Sequence, residues 1–246
     1  MASAADLLKD DLWERVVIVG DLQPLDAARL ACAGRLFNAI VARQRAAGLW
    51  KGLPRISPRG WVQPPWDNLY FEEVVEDQAG DLQVVVDRCP SGMALKLQPG
   101  EYRLQCMLQL KRPIYLFGGN AASIFVEHFD EDVEDLDENI YDILVESRMT
   151  AGGLIDFHFI ANHTDCQVGV DVIRGNLILQ NCKFTWFNAG VCISTASSAI
   201  IRQCNFQLCG CGDYEVIQLH GGGLVDSCLI VGQEVDGVLP IGIYIR

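Results

Sequence analysis

The chain has no apolar run of about 18 residues, the length a membrane-crossing helix needs, so no membrane span is expected. Its first residues lack a positively charged stretch leading into an apolar one, so no signal peptide is expected. Most of the ten cysteines sit on or beside apolar, strand-like positions. Together these features predict reduced core thiols in an intracellular protein, cytoplasmic or nuclear and not secreted. Cys209-Gly-Cys211 has no second pair at zinc spacing, and the acidic run Asp130-Glu-Asp-Val-Glu-Asp-Leu-Asp-Glu138 has no turn glycine inside it, which argues against a calcium loop. No metal site and no cofactor is therefore expected, and the acidic run reads as a solvated loop. Positive charge is also scarce: 19 Lys and Arg against 32 Asp and Glu, a net charge of −13. Residues 1–60 hold nine basic and six acidic residues (+3), leaving ten and twenty-six (−16) for residues 61–246. That balance excludes nucleic acid and anionic membrane as natural partners of the longer part.

What the chain does have is a repeat. Leu154-Ile-Asp-Phe157-His-Phe159, Leu179-Gln-Asn-Cys182-Lys-Phe184, Ile201-Arg-Gln-Cys204-Asn-Phe206 and Val225-Asp-Ser-Cys228-Leu-Ile230 follow one another in steps of 25, 22 and 24 residues. A second short segment recurs between them: Gly169-Val-Asp-Val172, Gly190-Val-Cys-Ile193, Glu215-Val-Ile-Gln218 and Gly242-Ile-Tyr-Ile245. Two short strands per period, with no helical stripe inside it, predict a stacked-coil solenoid. Successive coils would pair about 4.8 Å apart, so like residues stack. The spacing predicts an inward ladder of Phe159, Phe184, Phe206 and Ile230. Beside it runs a ladder of Cys182, Cys204 and Cys228 that starts at Phe157. Asn181 and Asn205, next to the cysteines, are expected at bends. Degenerate coils precede these at Ala94-Leu-Lys-Leu97-Gln-Pro-Gly-Glu-Tyr102, Leu108-Gln-Leu110, Ile114-Tyr-Leu116, 124–126 and 141–145. Leucine-rich repeats share the period, but the leucine consensus and the helical second half are absent. The last strand-like segment, Ile243-Tyr-Ile245, is expected to leave a pairing edge open unless something covers it.

Carried by Leu95-x-Leu97-x-Pro99-Gly100-x-Tyr102, by Arg112-Pro113-Ile114-x-Leu116-x-Gly118 and by the coils from 154 to 245, residues 81–246 resemble the pectin-lyase-like superfamily. The resemblance implies a right-handed parallel β-helix of about six coils. Many relatives cleave acidic polysaccharides, and glycoside hydrolysis needs two carboxylates at a set separation. Asp156 and Asp226 read as sharing a column, interrupted by Asn181 or Gln180 and by Arg202 or Gln203. Asp171, Lys183 and Arg202 read as outward residues of one face. His158 and His220 read as surface or turn residues, and His163-Thr-Asp165 only faintly echoes a hydrolase motif. The paired aspartates and the Arg-x-Lys of such hydrolases are missing, so no catalytic residue is assigned and the chain is read as not an enzyme. Trp186, Phe187 and Tyr214 lie near coil corners but form no regular column of the kind that binds sugars.

The first sixty residues differ in character. Leu12, Val16 and Val17 have helical spacing after Asp10 and Asp11. Pro24 suits the start of a second helix, and Leu30, Gly34, Phe37, Ile40 and Val41 form its stripe. Residues 1–53 thus read as a small helical module, 54–80 as a proline-rich linker and lead-in, and 81–246 as the β-helix. Such a module buries little alone and must pack on something.

Leu22-Gln-Pro24-Leu-Asp26, the helix from Ala27 to Ile40 with its Phe37-Asn38 pair, and Leu49-Trp50 resemble an F-box, although Leu8-Lys9 replaces the usual opening Leu-Pro. The resemblance implies a substrate adaptor of a ubiquitin ligase. A Skp1-type subunit, and through it a cullin, would bind Leu12, Trp13, Val16, Leu22, Pro24, Leu25, Leu30 and Phe37, while the β-helix presents an unidentified protein substrate. The competing expectation is a helical cap over the first coil of a glycan-binding or glycan-cleaving β-helix.

Overall fold

The computed structural model describes residues 52–57, 61–65, 68, 70–75, 80, 82–104, 106–126, 143–161, 168–210, 215–232 and 242–245. The eight residues expected to bind a Skp1-type subunit lie outside the described residues. So do the acidic run, His163, Asp165, Cys211 and Tyr214. The chain divides into two units, Met1–Phe71 with Gly92–Ala94, and Glu72–Ser91 with Leu95–Arg246. In the first unit β1 (Arg55–Ile56) and β2 (Val62–Gln63) form a short antiparallel pair.

The second unit is a parallel β-solenoid, and nearly all of its regular structure is strand. It opens with β3 (Glu72–Val74), the helix α1 (Leu82–Arg88), β4 (Ala94–Leu97), β5 (Gly100–Leu104), β6 (Leu108–Leu110), β7 (Tyr115–Val126) and β8 (Ile143–Ser147). It continues with β9 (Gly152–Ile160), β10 (Val168–Val172), β11 (Gly175–Gln180), β12 (Lys183–Thr185), β13 (Ala189–Ile193), β14 (Ser197–Arg202) and β15 (Asn205–Cys209). The last turn holds β16 (Ile217–Leu219), β17 (Gly222–Asp226), β18 (Leu229–Gly232) and β19 (Ile243–Ile245). One sheet runs β6-β8-β10-β13-β16-β19, six parallel strands separated by about five turns of the coil, against the six expected. Parallel pairing begins at β3, whose Glu72 lies against Leu95.

The repeat works as its periodicity predicts. Phe159 pairs in register with Phe184, Phe184 with Phe206, and Phe206 with Ile230. The three phenylalanines are fully buried, with ring centroids 5.0 Å and 4.8 Å apart. The thiols form their own ladder: Cys182, Cys204 and Cys228 each direct Sγ at a carbonyl one coil back, those of Leu154, Leu179 and Ile201, at 3.3, 3.7 and 3.6 Å. A weak donor is thereby satisfied inside an apolar column.

The bend before this ladder is a second column. Asp156, Asn181, Gln203 and Ser227 all have left-handed φ, between 50° and 62°. Asn181 therefore sits at a bend as expected, but Asn205 does not: it lies on β15, and Gln203 takes the bend. The segment Glu215-Val-Ile-Gln218 is also one residue out of register, because Val191 pairs with Ile217 rather than Val216. The inward residue of β16 is decided by that hydrogen-bond register and not by the likeness of the tetrapeptides.

The described cysteines are free thiols. Burial pushes Cys89 and Cys192 up to about 12 and Cys209 up to about 11. Thiol-to-thiol hydrogen bonding with Cys182, then burial, raises Cys204. Cys106 is exposed. Native protein treated with iodoacetamide is therefore expected to alkylate Cys106 at least about tenfold faster than Cys204 or Cys209, read by peptide mass mapping. Equal rates would mean that the thiol column opens readily.

Candidate docking face

The outer surface of β9, β12, β15 and β18 is built from two columns flanking the buried phenylalanines. One runs Ser123, His158, Lys183, Asn205 and Leu229, and the other Phe125, Ile160, Thr185, Gln207 and Val231. Alternation turns both columns away from the phenylalanines, although Thr185 is itself buried beneath its neighbours. His158 Nε2 and Thr185 Oγ1 lie 3.0 Å apart across the coils. Burial, then the neighbouring Lys183 ammonium, pushes His158 down to about 4, so the imidazole is neutral at neutral pH. Lys183 makes no ion pair among the described residues, and Asn205 Oδ1 is buried without a hydrogen bond there.

The corner next to these columns carries Trp186 and Leu208, both exposed and both at left-handed φ, 69° and 54°. Trp186 N donates to Gln207 O at 3.2 Å, which holds the corner in place. A bulky side chain at positive φ costs on the order of 1 kcal/mol, which the buried half of Trp186 offsets while the other half, 51% exposed, stays outside. Phe187, one residue on, is buried and packs edge-on to Phe184 at 6.2 Å. The corner thus holds an inward aromatic anchor and an outward one. The next coil adds exposed Leu229 and Val231, both on β18. The result is a small apolar patch on a rigid backing, bordered by amide, hydroxyl and one cation.

Prediction of the fold placed His158 and Trp186 near the surface but did not bring them together. Trp186→Asn is expected to lower stability by about 1–2 kcal/mol, because asparagine relieves the left-handed strain but gives up the buried half of the indole. Urea unfolding measures this, and unchanged or raised stability would show that the backbone strain outweighs the packing.

A second column crosses the other sheet: Gln109, Glu146, Asp171, Cys192, Gln218 and Tyr244 are in register from coil to coil. The sequence pattern singled out Asp171 but not Glu146, because β8 precedes the clear repeats. Glu146 is buried and accepts a hydrogen bond from Arg148 Nε at 2.7 Å. Burial, then the Glu146 charge, raises Asp171 to about 6, against a smaller lowering by Arg148. Glu146 is occupied by Arg148, so the pair is a poor acid–base couple. The two carboxylates expected to share a column, Asp156 and Asp226, separate. Asp226 stacks on Arg202, Gln180 and Ile155, whereas Asp156 belongs to the left-handed bend. Asp171, Lys183 and Arg202 lie on β10, β12 and β14, three different segments of the coil, and do not share a face. Among the described residues no group of His, Cys, Asp or Glu could hold a metal ion, and no helix is long and apolar enough to cross a membrane.

These two columns have opposite pH signatures. Raised Asp171 weakens the fold fully above its folded value near 6, and the penalty fades as pH falls toward the unfolded value near 4. Lowered His158 does the reverse: stability is lost as pH falls from about 6.5 to about 4, because the unfolded chain takes up the proton first. Asp171→Asn is expected to gain about 1 kcal/mol at pH 7, after solvent screening of a half-buried group, and nothing at pH 4. The measurement is denaturant midpoints of both proteins across this range, and a gain independent of pH would assign the effect to packing.

No known protein-family model matches the chain.

Proposed function

We propose that this protein is the substrate-recognition adaptor of a Skp1-cullin-F-box type ubiquitin ligase. Residues 1–53 bind the Skp1-type subunit and, through it, a cullin. The β-helix, right-handed as in the pectin-lyase-like superfamily, presents a protein substrate. No residue performs chemistry, and no cofactor is needed. The F-box-like order of Leu22, Pro24, Asp26, Phe37-Asn38 and Leu49-Trp50 supports the first half of this reading. The observation that carries the second half is the exposed Trp186 and Leu208 corner. Buried aromatic anchors dominate protein interfaces, and here one is held outward at a conformational cost on a rigid ladder.

The test is co-purification of the full chain with a Skp1-type subunit, beside the full chain carrying Leu22→Asp and Pro24→Asp. A stoichiometric complex with the first and none with the second supports the adaptor. A soluble full chain that forms no complex removes it. The alternative is a β-helix that binds or cleaves polysaccharide under a helical N-terminal cap. Polyuronate binding or depolymerisation by the Leu22→Asp, Pro24→Asp chain, lost in Asp171→Asn, would support that alternative.

A further inference from the structure

Charge is placed unevenly on the coil. Residues 61–246 hold twenty-six acidic against ten basic residues. The two columns that flank the buried phenylalanines depart from that balance: their ten positions hold no Asp or Glu and one cation, Lys183. Carboxylates stand elsewhere, Glu146 and Asp171 in register on the other sheet and Asp226 on β17. Lys183 lies in register between His158 and Asn205. Trp186, Leu208, Leu229 and Val231 are exposed on the same side of the coil. One cation thus sits beside an apolar patch on a coil that is otherwise strongly acidic.

We propose that this face binds a protein segment in which an acidic side chain lies near apolar ones, the carboxylate on Lys183 and the apolar side chains on Trp186, Leu208, Leu229 and Val231. This deepens the adaptor reading and rests on it only in taking the ligand to be a protein. Charge selects an acidic segment. A basic segment is drawn to the carboxylates elsewhere on the coil, whereas an acidic one is repelled there and attracted here, so both effects favour this face. The aliphatic side chains select protein over sugar. Leu208, Leu229 and Val231 would cover sugar hydroxyls without offering them a hydrogen bond, but they match apolar side chains, whose burial needs none. A phosphoryl group is set apart as well, because it calls for several donors, typically arginines, and the ten positions supply one cation. Lys183 and Leu229 are two coils apart in the register, about 10 Å, which is the span of about three residues of extended chain. The acidic residue and an aliphatic one are therefore about three positions apart in the bound segment.

The test is selection of a phage-displayed random peptide library against the full chain. Enrichment of Asp or Glu together with Leu, Ile, Val or aromatic residues is expected. The dissociation constant of an enriched peptide, read by fluorescence anisotropy, should rise at least about tenfold in Lys183→Glu and in Trp186→Asn. Lys111→Glu makes the same change of charge at an exposed position after β6 and should leave the constant within about twofold. Far-ultraviolet circular dichroism of each variant separates loss of binding from loss of fold. The chain carrying Leu22→Asp and Pro24→Asp should bind the peptide as the full chain does, so failure to hold a Skp1-type subunit and failure to bind peptide are separate results. No enrichment, enrichment of Lys and Arg, or an affinity indifferent to Lys183→Glu would overturn the proposal. So would polygalacturonate bound by the full chain and lost in Lys183→Glu with no peptide selected, which would assign the face to an acidic glycan.

Discussion

Phe184→Ala is expected to lower the free energy of unfolding by about 3–5 kcal/mol. Phe184 is fully buried between Phe159 and Phe206, with centroids 5.0 and 4.8 Å away, and Phe187 packs on its edge. Deleting the ring removes its burial and leaves a gap that the neighbours cannot close. The coils on either side are pinned by backbone pairing of β9, β12 and β15, whose spacing is fixed near 4.8 Å. A core that cannot collapse retains the whole cavity, which places the cost at the upper end of the range. Phe184→Leu, which leaves most of the volume filled, should cost about 1–2 kcal/mol. Equilibrium urea unfolding reads both. A loss below about 1 kcal/mol for alanine would mean that adjacent coils slide together and that the ladder is softer than its hydrogen bonds imply.

Gly175→Ala is expected to cost at least about 3 kcal/mol and to reduce the yield of soluble protein. Gly175 opens β11 at φ 81°, and a β-carbon there would stand 1.9 Å from the Met149 carbonyl oxygen. That oxygen belongs to the backbone of the coil below, so no side chain can move aside to relieve the clash. The chain must shift at the start of β11, which disturbs the pairing of Leu177 with Gly152 and Ala199. Gly92 is the control. Its φ is 83°, but nothing lies within 4 Å of an added β-carbon. Gly92→Ala should therefore cost only the left-handed penalty, about 1–2 kcal/mol. Thermal and urea unfolding of the two variants separate steric clash from backbone preference, and equal losses would mean that the close approach at Gly175 is relieved cheaply.

The coil was legible because its signal repeats. Alternating Leu177, Leu179 and Ala199, Ile201 announce inward positions, and the recurrence of Phe159, Phe184 and Phe206 at one place in the repeated motif announces which of them stack. Where coils vary in length, that legibility failed by a residue or two. Asn205 looked like a bend residue because it follows a cysteine, as Asn181 precedes one, but the chain turns at Gln203. Asp156 and Asp226 looked like one column and are two, because a one-residue offset sends a side chain to another column or another face. The docking corner was half legible. Trp186 stood out as a large aromatic near a turn, but nothing local distinguishes it from Phe187, of which one is exposed and the other buried. Glu146 was missed because β8 carries no copy of the repeated motif.

Sequence alone determined the period, the parallel coil, the phenylalanine and cysteine ladders and the imbalance of charge, because each follows from alternation, stacking of like residues or simple counting. Tertiary structure decided which residues turn the corners, which carboxylates become neighbours and which apolar side chains stay outside. Those outcomes depend on hydrogen-bond register between segments about 22 to 26 residues apart, where one residue of slip exchanges inside for outside, and no local pattern records the slip.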